Sequence, residues 1–164
     1  MPLTIQSTSS EQSEKLIRIF LNDQRSGVLA TADRSGNPHV AAVYYKLDDD
    51  MSILFGTRSE TQKFKNLLEN NQAAFVVYEE STQTTVQIMG RAEVVEDEET
   101  YNKVVHNMKN SSSEISDESL APAEKLNAGD YKVVRILPMV IKLAEYSVAQ
   151  PGSGDLFETI LFSE

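Results

Sequence analysis

The sequence contains no cysteine and no tryptophan, only two histidines, and no long apolar run. The absence of cysteine excludes disulfides, thiolate metal sites and a cysteine nucleophile, and it fits a reducing compartment. The longest clean apolar run extends from Ala73 to Tyr78, far short of the roughly 20 residues of a membrane-spanning helix. Residues 1–12 are polar and lack the basic end and apolar core of a secretory signal. We therefore expect a cytoplasmic protein without membrane partners.

Basic residues are also scarce, because 15 lysines and arginines stand against 25 aspartates and glutamates, for a formal net charge of −10. Nucleic acids and anionic membranes bind basic faces, so this charge argues against both as partners. His39 and His106 lie far apart, with no other ligand at metal spacing. Three consecutive aspartates at 48–50 splay their side chains and indicate a hairpin turn. We expect no metal site.

The arrangement of apolar and turn-forming residues predicts a mainly β chain with few helices. The predicted helices cover residues 13–24, 60–70 and 98–108. The predicted strands cover residues 27–32, 39–47, 51–56, 73–78, 85–95, 131–146 and 156–162. Because the connections between the first strands are short, these strands are expected to form antiparallel hairpins. The pattern favours a closed or partly closed barrel.

Two local features modify this outline. Gly90 lies inside a predicted strand, where it indicates a bulge or a close backbone approach, and Pro138 is expected to break the strand at 131–146. No internal repeat or linker divides the chain, so residues 1–164 are expected to form a single domain. Within it, we expect a loose start at 1–12 and a flexible loop at 110–119.

One short stretch, residues 56–67, concentrates positive charge in this acidic protein. It carries Arg58, Lys63 and Lys65 against one acid, Glu60, where a predicted strand leads into a predicted helix. The first turn of a helix presents unpaired N–H groups and the positive end of its dipole, so cations are unfavourable there unless an anion lies among them. The stretch therefore predicts a phosphate site.

A second interpretation of the same stretch needs no ligand. Ser59 and Gln62 fit a capping box, in which Ser59 is the N-cap and Gln62 reaches back to its backbone N–H. The basic side chains would then be solvated surface charges. The two interpretations are compatible with each other.

The order of these elements, with the residues at their turns, resembles the pyridoxamine 5′-phosphate oxidase-like family of FMN-binding split barrels. The resembling segments are residues 27–31, 36–45, 54–57, 59–71 and 86–93, with a weaker likeness in 131–146. The resemblance implies a mainly β fold, a six-stranded antiparallel split β-barrel with flanking helices. It also implies a homodimer with two FMN molecules at the interface and a small-molecule substrate.

The resemblance further implies which positions contact the flavin. On the second strand and at the end of the third, these positions are Ala41, Ala42, Val43, Tyr44, Phe55, Gly56 and Thr57. A flavin-contacting glutamine of the family falls near Thr85. Gln87 becomes the candidate if the register is shifted by two residues, because such a shift preserves the face of a strand.

The family's phosphate-binding Arg-Lys pair falls on Gln62 and Lys63. Lys63 keeps the charge, whereas Gln62 does not, and Arg58 or Lys65 is the candidate replacement. The family's oxidases also carry C-terminal Trp-Arg-Leu and Arg-Leu-His patterns that hold pyridoxamine phosphate, and this chain has no tryptophan. The resemblance therefore implies a related flavoprotein rather than a true pyridoxamine-phosphate oxidase.

The expected function is FMN-dependent transfer of hydride or electrons to a small organic substrate, with no catalytic side chain identified. The flavin would supply the reactivity and the protein its position and electrostatics. One alternative is a flavin-binding or sensor protein without turnover. Another keeps the fold but replaces FMN by the deazaflavin F420 or by haem. The lack of a suitable histidine disfavours haem, whereas F420 and FMN are not distinguished.

Overall fold

The computed structural model describes residues 10–113 and 122–163. The helices are α1 (Ser10–Asp23), α2 (Gln62–Glu69), α3 (Glu98–Ser113) and α4 (Pro122–Lys125), and a 3₁₀ turn covers Tyr146–Val148. The strands are β1 (Ser26–Ala32), β2 (Pro38–Leu47), β3 (Ile53–Arg58), β4 (Gln72–Glu79), β5 (Thr84–Val94), β6 (Tyr131–Glu145) and β7 (Glu158–Leu161). In this part of the chain, no helix is long and apolar enough to cross a membrane.

The strands form one antiparallel sheet in the order β3-β2-β1-β4-β5-β6-β7, and a further pairing of β3 with β6 closes the first six into a barrel. The predicted six-stranded antiparallel barrel with flanking helices is therefore confirmed. Short turns make the hairpins, as expected. At the three aspartates, for example, the Met51 N–H donates to the Asp48 carbonyl over 3.1 Å.

Alternate side chains of each strand point into the barrel and form its core. The largest of these side chains that are fully buried are Leu29, Ile53, Phe55, Phe75, Ile88, Ile136 and Ile141. α1 packs at one end of the barrel, where the Tyr45 hydroxyl donates to the Leu21 carbonyl over 2.6 Å. α2 packs on β1 and β2 through its buried residues Phe64, Asn66 and Leu67.

α3 packs on the outside of the barrel over a second, smaller cluster of apolar side chains. This outer cluster comprises Leu54, Val104 and Val133, with Tyr44, Val95, Tyr101, Val105 and Tyr131 packed around them. The rings of Tyr101 and Tyr131 meet edge to face at a centroid distance of 6.3 Å. The outer cluster therefore ties α3 to the strand pair that closes the barrel.

The expected bulge at Gly90 is confirmed, and it explains why β6 is not broken at Pro138. The register between β5 and β6 shifts between Met89 and Gly90, which brings Gly90 opposite Pro138. A Cβ atom at Gly90 would lie 2.1 Å from the Leu137 carbonyl oxygen. Because the bulge accommodates the proline, β6 continues from Tyr131 to Glu145.

Some predicted boundaries are wrong. α1 begins at Ser10, so residues 10–12 of the predicted loose start are helical, and residues 1–9 lie outside the described chain. α3 continues to Ser113 and replaces the first part of the predicted loop at 110–119. Residues 114–119 of that loop lie outside the described range. Serine and asparagine are typical of turns, but the helix continues through several of them at its end.

The Tyr45 hydroxyl provides a test of how α1 is held to the barrel. Tyr45→Phe is expected to lower the free energy of unfolding by about 1–2 kcal/mol, because it leaves a buried carbonyl without its donor. Urea denaturation measures the change. Tyr78→Phe is the matched control, since the Tyr78 side chain is 56% exposed, and it is expected to change stability by less than about 0.5 kcal/mol.

The same pair of variants gives a pH signature. Burial raises the pKa of Tyr45, so the unfolded chain ionises this group first, at a pH of about 10. Stability from the protonated phenol is full below that pH and is lost as the pH rises toward the folded-state pKa. Tyr45→Phe should therefore weaken the alkaline loss of stability. An unchanged alkaline profile would contradict this assignment.

Candidate functional site

The start of α2 follows the end of β3 through a turn at residues 59–61. Thr61 occupies the N-cap position, but its side chain makes no capping hydrogen bond. Its hydroxyl donates instead to the Arg58 carbonyl over 2.8 Å and lies 3.0 Å from the Thr57 hydroxyl. The first N–H groups of α2 thus have no side-chain cap, which is the arrangement that favours an anion at a helix N-terminus.

The predicted capping box is wrong. α2 begins at Gln62, so Ser59 precedes the N-cap instead of occupying it. The Ser59 hydroxyl accepts a hydrogen bond from the Asp130 N–H over 2.9 Å, and the Gln62 side chain donates to Asn66 over 2.7 Å. Both residues of the sequence pattern are present, but each has a different partner.

Lys63 lies in the first turn of α2 and is half-buried. Burial lowers its pKa, which shows that the surroundings disfavour the ammonium. In the described parts of the chain, no carboxylate forms an ion pair with it. A bound anion would supply the missing counter-charge, so Lys63 and the uncapped N–H groups together form a candidate phosphate site.

Of the other polar side chains of this stretch, Arg58 and Gln62 are engaged by the protein itself. Arg58 donates from Nε to the Ala123 carbonyl over 2.6 Å. Gln62 begins a hydrogen-bonded chain in which Asn66, only 2% exposed, donates in turn to the Thr31 hydroxyl over 3.1 Å. Lys65 is exposed on the helix surface. Among the predicted phosphate-site residues, Lys63 is therefore the side chain best placed to meet an anion.

The predicted flavin-contacting positions on β2 and β3 divide between the two faces of the sheet. Val43, Phe55 and Thr57 point into the barrel and are buried, so they can offer only backbone groups to a ligand outside. Ala42, Tyr44 and Gly56 lie on the outer face, and Tyr44 packs in the outer cluster.

Ala41 points inward near the end of the barrel, and it is partly exposed. The structure therefore brings Gly56, Thr57 and Lys63 into one neighbourhood, at the end of β3 and the start of α2. The β2 positions reach this neighbourhood along the adjacent strand, since β2 pairs directly with β3.

Thr85 and Gln87 share the outer face of β5, where Thr85 is buried and Gln87 exposed. The sheet order places three inter-strand steps between β2 and β5, a separation of about 14 Å at about 4.8 Å per step. Gln87 lies in a row with Val76, Val28 and Ala42 across this face. The two β5 candidates thus lie well apart from the β2 positions within one copy of the chain.

A cavity of about 260 Å³ lies elsewhere, between the end of β6, the 3₁₀ turn and the start of β7. Its lining includes the carboxylates of Glu145 and Glu158 together with Leu143 and Leu156. The Ser13 hydroxyl donates to Glu158. Two carboxylates repel a phosphate, so this cavity is the wrong environment for an anionic cofactor.

A sequence profile described as pyridoxamine 5′-phosphate oxidase matches residues 13–143, from α1 into β6. The chain belongs to the pyridoxamine 5′-phosphate oxidase family. A pyridoxine/pyridoxamine 5′-phosphate oxidase of Agrobacterium fabrum is 37% identical over 79 residues, which are 48% of this chain and 38% of that protein. The match thus covers well under half the length of this curated relative.

Solved structures with the same fold extend over nearly the whole chain. A conserved hypothetical protein of Mycobacterium tuberculosis, Rv2991, is 26% identical with a TM-score of 0.67, covering 93% of this chain and 98% of its own. A pyridoxamine 5′-phosphate oxidase-related, FMN-binding protein of Nostoc punctiforme is 14% identical with a TM-score of 0.57, covering 94% and 91%. At 14% identity, the second likeness concerns the fold alone.

Several residues that shape the site carry no signal in the sequence. Asn66 and Thr61 are ordinary helix and turn residues, and their roles follow from contacts with Thr31 and Thr57. Tyr131 lies on β6, where its hydroxyl fills the space beside Gly56 and would be 1.9 Å from a Cβ there. That close approach explains the glycine at the end of β3, and sequence spacing alone does not reveal it.

Proposed function

We propose that this protein binds FMN, with the phosphate at the start of α2 and Lys63 as its main side-chain partner. The observation that carries the proposal is a half-buried lysine that meets no carboxylate partner among the described residues, beside a helix start without a side-chain cap. A phosphate compensates both features with charge-assisted hydrogen bonds. Membership of the pyridoxamine 5′-phosphate oxidase family supports FMN as the bearer of that phosphate.

The strands next to this phosphate site would hold the flavin ring. Ala42 leaves space beside the β2 backbone on the outer face, whereas the space beside Gly56 is filled by the Tyr131 hydroxyl, so the end of β3 offers backbone groups only. Val43 and Phe55 would contact the ring only through their backbone groups, because their side chains belong to the core. These residues bind and orient the ring and exclude water from part of it.

Bound FMN supplies hydride or electron transfer, which makes the protein an oxidoreductase acting on a small organic substrate. The chain's own contribution is to fix the ring and neutralise the phosphate. The family has an arginine beside this lysine, but Gln62, which takes its place here, is neutral and donates to Asn66. Lys63 would therefore be the side chain that brings positive charge to the phosphate.

The homodimer is part of this proposal, and the outer face of the sheet supports it. Its side chains from β1, β2, β4, β5 and β7 form an exposed apolar surface, the outer sheet face, comprising Val28, Val40, Ala42, Ala74, Met89 and Leu161. Val40 alone is 65% exposed. Contiguous apolar surfaces of this kind mark interaction sites. A second copy joined by a two-fold axis covers both faces with one self-complementary contact.

A flavin-binding protein without turnover is the second candidate. The observation that favours it is the absence of tryptophan, and with it the C-terminal pattern that holds substrate in the family's oxidases. The two candidates share the phosphate site and differ in whether the bound flavin exchanges electrons with small molecules. F420 in place of FMN is a further variant of the same proposal.

The first prediction concerns the cofactor. Purified protein is expected to show the absorption bands of oxidised flavin, or to acquire them when FMN is added. Lys63→Ala should weaken the binding of FMN by about 1.5–3 kcal/mol, because a charged hydrogen bond is lost. This corresponds to a Kd raised about 10- to 150-fold. Riboflavin, which has no phosphate, should be little affected. Fluorescence titration measures both affinities.

Lys65→Ala is the matched control for this titration, because Lys65 is an exposed lysine on the same helix. Its removal should leave the FMN affinity nearly unchanged. If the protein takes up no flavin, the proposed function is wrong. If Lys63→Ala weakens FMN and riboflavin equally, Lys63 does not contact the phosphate.

Turnover is tested separately by adding NADH or NADPH to the flavin-loaded protein under anaerobic conditions. The oxidoreductase proposal predicts rapid bleaching of the flavin absorption with at least one donor, followed by recovery when an electron acceptor is admitted. Free FMN at the same concentration is the control for uncatalysed reduction. A flavin that resists every donor tested supports the binding protein instead.

The dimer is tested by analytical ultracentrifugation. The unmodified protein should sediment as a dimer, and Val40→Glu should raise the dimer dissociation constant at least about 10-fold, because it buries a carboxylate without a partner. Ile19→Glu is the control, since Ile19 is 58% exposed on α1, away from the outer sheet face. A monomeric unmodified protein, or equal weakening by both variants, would refute this arrangement.

A further inference from the structure

We infer that Arg58 is a positioning residue that fastens residues 123–131, here called the strap, to the turn before α2. The inference rests on the proposed function, because the turn it stabilises leads into the phosphate site. Sequence reasoning placed Arg58 among the residues that touch the phosphate. The contacts of its guanidinium assign it a different task.

The guanidinium of Arg58 contacts the strap. Its Nε donates to the Ala123 carbonyl over 2.6 Å, and one terminal nitrogen lies 3.5 Å from the Gly129 carbonyl. The centre of the group lies 5.5 Å from the centroid of the Tyr131 ring, in cation–π geometry. These contacts hold the planar side chain along the strap. To reach a phosphate, it would have to release a short charged hydrogen bond.

Backbone hydrogen bonds join the same two segments beside Arg58. The Ser59 N–H donates to the Asp130 carbonyl over 2.8 Å, and the Glu60 N–H donates to the Ala128 carbonyl over 2.9 Å. In return, the Asp130 N–H donates to the Ser59 hydroxyl over 2.9 Å. The turn before α2 is therefore fixed from the strap side. The next residue is the N-cap Thr61, and Lys63 follows in the first helical turn.

Gly129 shows how closely the strap approaches the turn. Its φ is +84°, a conformation that residues with a side chain rarely adopt. A Cβ there would lie 2.2 Å from the Ser59 Oγ and 2.9 Å from the Glu60 Cγ. Gly129, in the strap, and Arg58, before α2, thus both lie at the contact between the strap and the turn. Each can be changed by a separate substitution.

The strap also connects the site to the rest of the protein. Tyr131 begins β6 and pairs with Arg58 across the closing strands, and its ring packs on Tyr101 of α3. Arg58 therefore lies where the barrel closure, the strap and the start of α2 meet. Its role is to set the position of the α2 N–H groups and of Lys63 toward a ligand, without contacting that ligand.

The test compares Arg58→Lys and Gly129→Ala with Lys63→Ala. Arg58→Lys keeps the charge but loses the planar fork of donors, and Gly129→Ala disturbs the strap while the arginine side chain itself is kept. Hydrogen exchange of the ligand-free protein should be at least about tenfold faster in residues 123–131 of both variants. Lys63→Ala, and the exposed control Lys65→Ala, should leave this exchange unchanged.

The second readout is the ratio of FMN to riboflavin affinity. Because both strap variants displace the phosphate site, they should lower this ratio as Lys63→Ala does, but only the strap variants should also speed the exchange of residues 123–131. A ratio lowered by Arg58→Lys but not by Gly129→Ala would overturn the inference and make Arg58 a phosphate ligand. Unchanged exchange in the strap of both variants would also overturn it. If the unmodified protein binds no flavin, the proposed function fails, and the exchange measurement still decides whether Arg58 holds the strap.

Discussion

The pairing of β6 with three other strands is the constraint on which the rest of the structure depends. β6 pairs with β5 over most of its length, while its first part pairs with β3 and its later part with β7. The bulge opposite Pro138 lies between these two parts. Because the first part of β6 closes the barrel, Tyr131 comes to lie beside Arg58 and Gly56. The site at the start of α2 is therefore a product of barrel closure.

The electrostatics of the site are local and do not follow from the net charge. Although the chain has a formal charge of −10, the part that the structure describes gives the half-buried Lys63 at the start of α2 no carboxylate partner. The nearby positive charge of Arg58 is not directed at the start of α2, because its guanidinium donates to a backbone carbonyl. Among the described residues, this separation of roles leaves the candidate anion site with Lys63 as its side-chain cation and with backbone N–H groups.

The sequence predicts the barrel well because its evidence is local. Alternating apolar residues, short turns and Gly90 each report on a few neighbouring positions, and the structure confirms the strands and the bulge. The capping box failed for the opposite reason. Ser59 and Gln62 had the right spacing, but Asp130 and Asn66 compete for their side chains. The role inferred for Arg58 was equally hidden, since backbone carbonyls distant in the chain leave no sequence pattern.

The hydrogen-bonded chain from Gln62 through Asn66 to Thr31 has a consequence for how this site changes in evolution. Gln62 stands at the position where the resemblance to the family implies a phosphate-binding arginine, and in this chain its side chain donates to a buried asparagine that bonds to Thr31 of β1. A substitution at position 62 therefore acts on the contact between α2 and β1 as well as on the surface beside the candidate site. Because Gln62 and Thr31 both form hydrogen bonds with Asn66, these three positions are expected to vary together among relatives.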